Sequence, residues 1–155
     1  MEPIQRRTAR VIPVSPRGRV LLLRGHDPAV PNQSYWFTIG GRIEPGETAR
    51  QAAVREMREE VGIVVDENDL RGPFHEGEHN YSFGGLEYHS TSAFFTVALP
   101  EDSVHPMGLP GEIITETRWW SPADVWHEPV SNQHIPHIVA LAAATTRTAQ
   151  RPRVG

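Results

Sequence analysis

Branched apolar residues fill Thr8 to Val14 and Arg19 to Arg24, and the two runs flank Ser15-Pro16-Arg17-Gly18. This pattern predicts two strands joined as a hairpin by a Pro-Gly turn. His26 to Ser34 carries Pro28, Pro31 and Asn32 and reads as a loop, and a short aromatic strand is expected at Tyr35 to Ile39. Thr48-Ala49-Arg50-Gln51 has the form of a capping box, and Gly62 stands where a helix-ending glycine belongs, so a helix is predicted from about Ala49 to Val61. Further strands are expected near Leu70 to Tyr81, Leu86 to Ala98 and Thr115 to Trp120. Pro100 to Gly111, with Pro106, Gly108 and Pro110, reads as a long loop of the kind often found beside active sites. Ser121-Pro122-Ala123-Asp124 looks like a helix cap with proline at the first helical position, and His134 to Ala144 predicts a second helix. The order of elements indicates an α+β fold, a mixed sheet with helices packed on it.

Length and charge narrow the function. A chain of 155 residues fits one domain, expected over residues 1–145, with 146–155, rich in Arg and poor in apolar residues, as a disordered tail. A net charge of −4 offers no broad footprint for nucleic acid or an anionic membrane, so a phosphorylated ligand must be held by local groups or by a metal. The absence of cysteine excludes a disulfide scaffold, a thiolate zinc site and a cysteine nucleophile. The start, Met1 to Arg7, lacks the apolar stretch of a signal peptide, and Val20 to Leu23 and Ile138 to Ala144 are too short to span a bilayer. A cytoplasmic protein is expected.

Candidate chemistry sits in the first helix. With Val54 set at 0°, Met57 falls at about 300° and Val61 at about 340°, an apolar stripe expected to face the core. Glu59, Glu56 and Glu60 fall at about 140°, 200° and 240°, so three carboxylates crowd the side expected to be exposed. A divalent cation would turn their mutual repulsion into attraction, and all-oxygen ligands suit Mg²⁺ or Mn²⁺ better than zinc. An ordinary solvated acidic face would look the same in isolation. Gly40-Gly41, in the segment leading into the helix, shifts the balance, because a glycine pair lets backbone approach a ligand closely.

Gly41, five residues, Glu47, seven residues, then Arg55-Glu56-Met57-Arg58-Glu59-Glu60-Val61-Gly62-Ile63 is a complete match to the signature of the Nudix hydrolase family, which the chain therefore resembles, most of all its MutT-like members. The resemblance implies an α/β/α sandwich and hydrolysis of a diphosphate linkage by water, aided by Mg²⁺ or Mn²⁺. It implies metal ligands at Glu56, Glu59 and Glu60 and at the Gly41 carbonyl, with Arg55 and Glu47 bracing the loop against the helix. For the general base it leaves Glu59, Glu60, or a glutamate outside the box: Glu112 in the long loop, slightly preferred, or Glu116 at the start of the next strand. Ile39 stands where relatives usually carry proline.

Arg24 resembles a substrate-contacting arginine of triphosphate-cleansing members, and Asn132 resembles their base-reading asparagine; a surface charge and a helix cap are the plain alternatives. The expected ligand is a nucleoside diphosphate joined to another group, with a nucleoside triphosphate favoured and ADP-ribose or a nucleotide sugar as rivals. A homodimer is compatible with the resemblance. A non-catalytic nucleotide sensor of the same fold is disfavoured by the intact glutamates, and an isopentenyl-diphosphate isomerase by the absence of cysteine. His75-Glu76-Gly77-Glu78-His79 satisfies the HExxH zinc pattern in letters only: Gly77 and Asn80 argue against the helix it needs, and in a strand the two histidines lie about 13 Å apart. Most of the aromatic residues are expected in the core, with one or two left to face a base.

Overall fold

A computed structural model describes residues 2–104 and 113–150, with the side chains of 147–150 excepted. Its strands are β1 (Ile4–Val14), β2 (Val20–His26), β3 (Ser34–Phe37), β4 (Ile39–Arg42), β5 (Arg71–Phe83), β6 (Leu86–Ala98) and β7 (Ile114–Trp120). Helix α1 spans Ala49–Val61 and α2 spans Ile135–Gln150. The strands form one mixed sheet in the order β3-β2-β1-β6-β5, with β4 paired to β1 and β7 paired to β2. β1 runs parallel to β6 from Ile4↔Tyr88 to Val14↔Ala98, and the other pairings are antiparallel.

The apolar run Val20-Leu21-Leu22-Leu23 is fully buried because both faces of the sheet are covered. Leu21 and Leu23 join Ala9, Val11, Ile39 and Phe95 under Ala52, Ala53 and Met57 of α1. Val20 and Leu22 join Ile12, Trp36, Phe94 and Trp120 under Ile135, Ile138 and Val139 of α2. This is the sandwich expected from the sequence; Trp36, Phe94, Phe95 and Trp120 lie in it as expected, whereas Trp126 is exposed.

The predicted hairpin forms only at its tip. Ser15 N–H donates to the Arg19 carbonyl at 2.8 Å and closes the turn, but Val14↔Val20 is the one pair β1 and β2 share. Beyond it the strands part, because β1 takes β4 as its neighbour from Thr8↔Arg42 to Val11↔Ile39 while β2 pairs with β3 and β7. The aromatic strand expected at Tyr35 to Ile39 is likewise two strands, broken at Thr38, so that Trp36 and Ile39 enter different cores.

Two helix expectations need correction. Ser121 and Pro122 stand at the cap and first position as predicted, but Pro122–His127 is a 3-10 helix, and Ser121 accepts from Asp124 N–H through its backbone carbonyl, not its side chain. α2 runs on to Gln150, past the end predicted at Ala144. Its apolar face explains part of this extension: Ala142 and Ala143 are in the core and Thr146 is buried, with its hydroxyl donating to the Ala142 carbonyl at 3.0 Å. Among the described residues no helix is long and apolar enough to cross a membrane.

Candidate active site

Two consecutive glycines bring β4 against both β1 and α1. Gly40 has φ +148°, and a side chain there would begin 2.2 Å from the Ala9 carbonyl oxygen and 2.6 Å from Arg10 Cδ. A Cβ on Gly41 would lie 2.5 Å from Glu56 Oε1. The missing side chains therefore admit Arg10 from one side and Glu56 from the other. Gly40 N–H also donates to Glu60 Oε1 at 2.7 Å, so one residue of β4 touches β1 and holds a carboxylate of α1. Gly40→Ala is expected to cost about 2 kcal/mol from the clash and the forced φ, read as a lowered denaturant midpoint.

α1 begins and ends as predicted. Thr48 Oγ1 accepts from Gln51 N–H at 3.1 Å, Gln51 Oε1 accepts from Thr48 N–H at 2.9 Å, and Gly62 closes the helix in the left-handed region at φ 71°. The helix is rolled relative to the sequence expectation. Ala52, Ala53 and Met57 are its buried residues, whereas Val54 and Val61 are half-buried flanks. The alanines let the helix lie close on the sheet, and the roll carries Glu56 and Glu60 off the solvent face to the sheet edge. The Glu56 side chain keeps 13% of its surface exposed, against 52% for Glu59. Glu59 thus stays outside while the other two carboxyls meet beside Gly40 and Gly41.

Arg55 ties this turn to the preceding loop. Its Nε and Nη2 donate to Glu47 Oε2 and Oε1 at 2.8 and 2.9 Å, and Nη1 donates to Glu56 Oε1 at 2.9 Å and Glu59 Oε2 at 3.2 Å. Nη2 also reaches the Arg42 carbonyl at 2.9 Å, so one guanidinium spans the loop and the helix. The Arg55 hydrogen bonds, helped by Glu44 N–H, pull the Glu47 carboxyl down from the ordinary 4.5 to about 2. A depressed folded-state value stabilises the fold in full above the ordinary value and is lost as pH falls through the folded one. The melting-temperature gap between wild type and Glu47→Gln is therefore expected to stay constant down to about pH 4.5 and to close toward pH 2.

Glu60 behaves oppositely. Burial pushes its carboxyl well above the carboxylate range; Gly40 N–H pulls it back, the Glu56 carboxylate pushes it further up, and Arg10 pulls it down. Two carboxyls forced together in a half-buried pocket are a donor set suited to a hard divalent cation, which would replace their repulsion with attraction. Among the described residues, however, no three acidic or histidine side chains are arranged tightly enough to hold a metal, since Glu59 is turned to Arg55.

The remaining sequence candidates lie elsewhere. Arg24 and Glu116 face each other across β2 and β7, with Arg24 Nη1 3.5 Å from Glu116 Oε1, and Arg118 Nη2 sits 2.9 Å from Glu116 Oε2. Among the described residues no hydrogen bond or ion pair joins Glu116 to the α1 carboxylates. Asn132 starts α2: its Oδ1 accepts from His134 N–H at 2.9 Å and its carbonyl from Ile135 N–H at 3.0 Å. Glu112 lies outside the described residues. His75 and His79 lie on β5 as expected for a strand, where His75 packs on Phe94 and His79 Nε2 is 3.1 Å from the Ser131 carbonyl.

Arg10 is the residue that the sequence reading missed. It shares one face of the sheet with Arg6 on β1, Tyr88 on β6, and Tyr81 and His79 on β5. Its only signal was a charge at an alternating position between the buried Thr8 and Ile12, in a strand otherwise expected to be core.

The site thus consists of a half-buried carboxylate pair on a helix, a glycine pair on the adjoining strand and a guanidinium brace, on an α+β fold. The chain matches the NUDIX domain family over residues 4–141 and belongs to that family. It is 34% identical over 94 residues to dihydroneopterin triphosphate diphosphatase of Escherichia coli, covering 54% of this chain and 59% of that protein. It is 27% identical over 124 residues to human 8-oxo-dGDP phosphatase, covering 77% of this chain and 33% of that protein. The chain thus spans less than two thirds of these relatives. In three dimensions it resembles the E. coli dihydroneopterin triphosphate pyrophosphohydrolase with a TM-score of 0.68 and 21% identity, covering 93% of this chain and 99% of that one, a likeness of fold. Nudix hydrolases generally use a divalent metal such as Mg²⁺.

Proposed function

We propose that the protein is a pyrophosphohydrolase that splits a diphosphate linkage in a nucleoside diphosphate joined to another moiety. The observation that carries this reading is the meeting of Glu56 and Glu60 beside Gly40-Gly41, with the basic Arg10 alongside. In the reaction water adds across the P–O–P bridge, giving a nucleoside monophosphate and the remaining phosphorylated fragment. Glu56 and Glu60, with Glu59 swung inward and the Gly41 carbonyl, would hold Mg²⁺ or Mn²⁺. The cation would neutralise phosphate charge and lower the pKa of a bound water.

The chain's own residues set the rest. Arg55 and Glu47 keep the loop and helix in register, and the Gly40 N–H fixes one oxygen of Glu60 and leaves the other to act. A carboxylate must accept the water's proton, from among Glu59, Glu60, Glu112 and Glu116. Glu116 is the weakest of these, because two arginines already occupy it. A nucleoside or pterin triphosphate is the favoured substrate, supported by the names of the relatives. Arg24 and Asn132 support it less, since each already has a partner within the fold.

The test is a panel of nucleoside and pterin triphosphates, dinucleoside polyphosphates, nucleotide sugars and ADP-ribose, each with Mg²⁺ and with Mn²⁺, read as phosphate or monophosphate release. Turnover of a triphosphate above the others is expected. Preference for ADP-ribose or a nucleotide sugar would replace the substrate assignment, and binding without hydrolysis of any member would replace catalysis with nucleotide sensing.

A further inference from the structure

Arg10 sits at the crossing of β4 and β1, opposite Gly40, with its aliphatic stem against the glycine that also anchors Glu60. Arginine carries five N–H donors in a rigid fork. Among the described residues this one makes a single hydrogen bond, from Nη1 to the Thr38 carbonyl at 3.3 Å, and no ion pair. Two other arginines beside α1 are engaged: Arg55 by Glu47, Glu56 and Glu59, and Arg50 by the carbonyls of Glu67, Leu70 and Gly72. Its stem lies against Gly40, whose N–H holds Glu60 Oε1 on the other side. Burial lowers its pKa, while Glu60, Tyr81 and Glu56 act to raise it and Arg6 to lower it.

A partly desolvated fork with most donors unspent, beside a carboxylate pair that it does not bond, lacks an anionic partner with two or more acceptor oxygens. We propose that Arg10 is a substrate-binding residue whose guanidinium engages non-bridging oxygens of the diphosphate drawn to Glu56 and Glu60. This rests on the pyrophosphohydrolase reading and adds a direction to it. The substrate runs from the carboxylates across β1 toward the stacked Tyr81 and Tyr88, whose ring centroids are 5.2 Å apart, and away from the Arg24–Glu116 pair. His79, stacked on Tyr81 and held to the Ser131 carbonyl, closes that side of the face against the start of α2. Arg6, 4.4 Å above the Tyr88 ring, lies farther out on the same face of β1.

The alternative is that Arg10 only offsets the charge of Glu60. The two roles separate by calorimetric titration of wild type, Arg10→Lys and Arg10→Met with methylenediphosphonate in Mg²⁺, alongside titration of each apoprotein with Mn²⁺ alone. Loss of charged hydrogen bonds predicts methylenediphosphonate binding weaker by about 10-fold or more in Arg10→Met, with Arg10→Lys intermediate because lysine keeps the charge but not the fork. Mn²⁺ affinity should hold or tighten. Undiminished methylenediphosphonate binding in Arg10→Met, or none in wild type, overturns the proposal. If Arg10→Met does not fold, the lysine variant decides, since equal binding by it would remove the bidentate role. Wild-type hydrolysis of the substrate panel is scored separately, so failure of the catalytic reading and failure of the Arg10 assignment give different results.

Discussion

Glu60→Gln is expected to lower turnover by about two orders of magnitude or more and to leave the melting temperature unchanged or raised. Glutamine keeps an oxygen that can accept the Gly40 N–H, so the contact between α1 and β4 survives. What disappears is a negative charge that the fold itself disfavours, because burial and Glu56 both act against it. Loss of activity with gain of stability marks a group kept for chemistry and not for packing. Glu59→Gln, at an exposed position, should slow turnover comparably with no stability change, since any cation role requires it to leave Arg55. The measurements are steady-state phosphate release, a Mn²⁺ titration and a thermal melt on the same preparations. Turnover within about threefold of wild type for Glu60→Gln would remove the carboxylate pair from the mechanism.

Arg55→Met should damage both properties together. It removes the fork that satisfies Glu47 and holds Glu56, leaving uncompensated carboxylates at the loop and on the first face of the helix. Breaking a partly buried, multiply hydrogen-bonded ion network costs about 3 kcal/mol, less for the share that remains solvent-screened. Turnover should fall at least about tenfold because Glu56 loses its fixed orientation. Arg55→Lys should recover little, since an ammonium cannot bond Glu47, Glu56 and the Arg42 carbonyl at once. Denaturant midpoints paired with kinetics on the refolded protein separate the two losses, and a Met variant as stable as wild type would refute the bracing role.

The capping box, the closing Gly62 and the spacing of Gly41, Glu47, Arg55, Glu56, Glu59 and Glu60 were legible in the sequence because each is a local pattern, fixed within one helix and its entry loop. The roll of α1 was not. A helical wheel centred on Val54 ignores that Ala52 and Ala53 admit closer approach to a sheet than valine does, so it placed Glu60 in solvent. Strand partners were equally hidden, since β1 chooses β4 and β6 over its neighbour β2 through contacts distant in sequence. Arg10 becomes visible only once Gly40 is seen opposite it.

The parting of β1 and β2 after Val14↔Val20 has a mechanical meaning for the site. β1 is gripped along its length by β6, whereas β4 holds it over only four residue pairs, two of which, Ala9↔Gly41 and Arg10↔Gly40, involve the glycines of the site. A slip of that short strand would carry away the Glu60 anchor and uncover Arg10 in the same motion. On the proposed reading of the site, grip on a cation and grip on a phosphate would rise and fall as one quantity, so mutations along β4 should alter metal and substrate affinity in parallel.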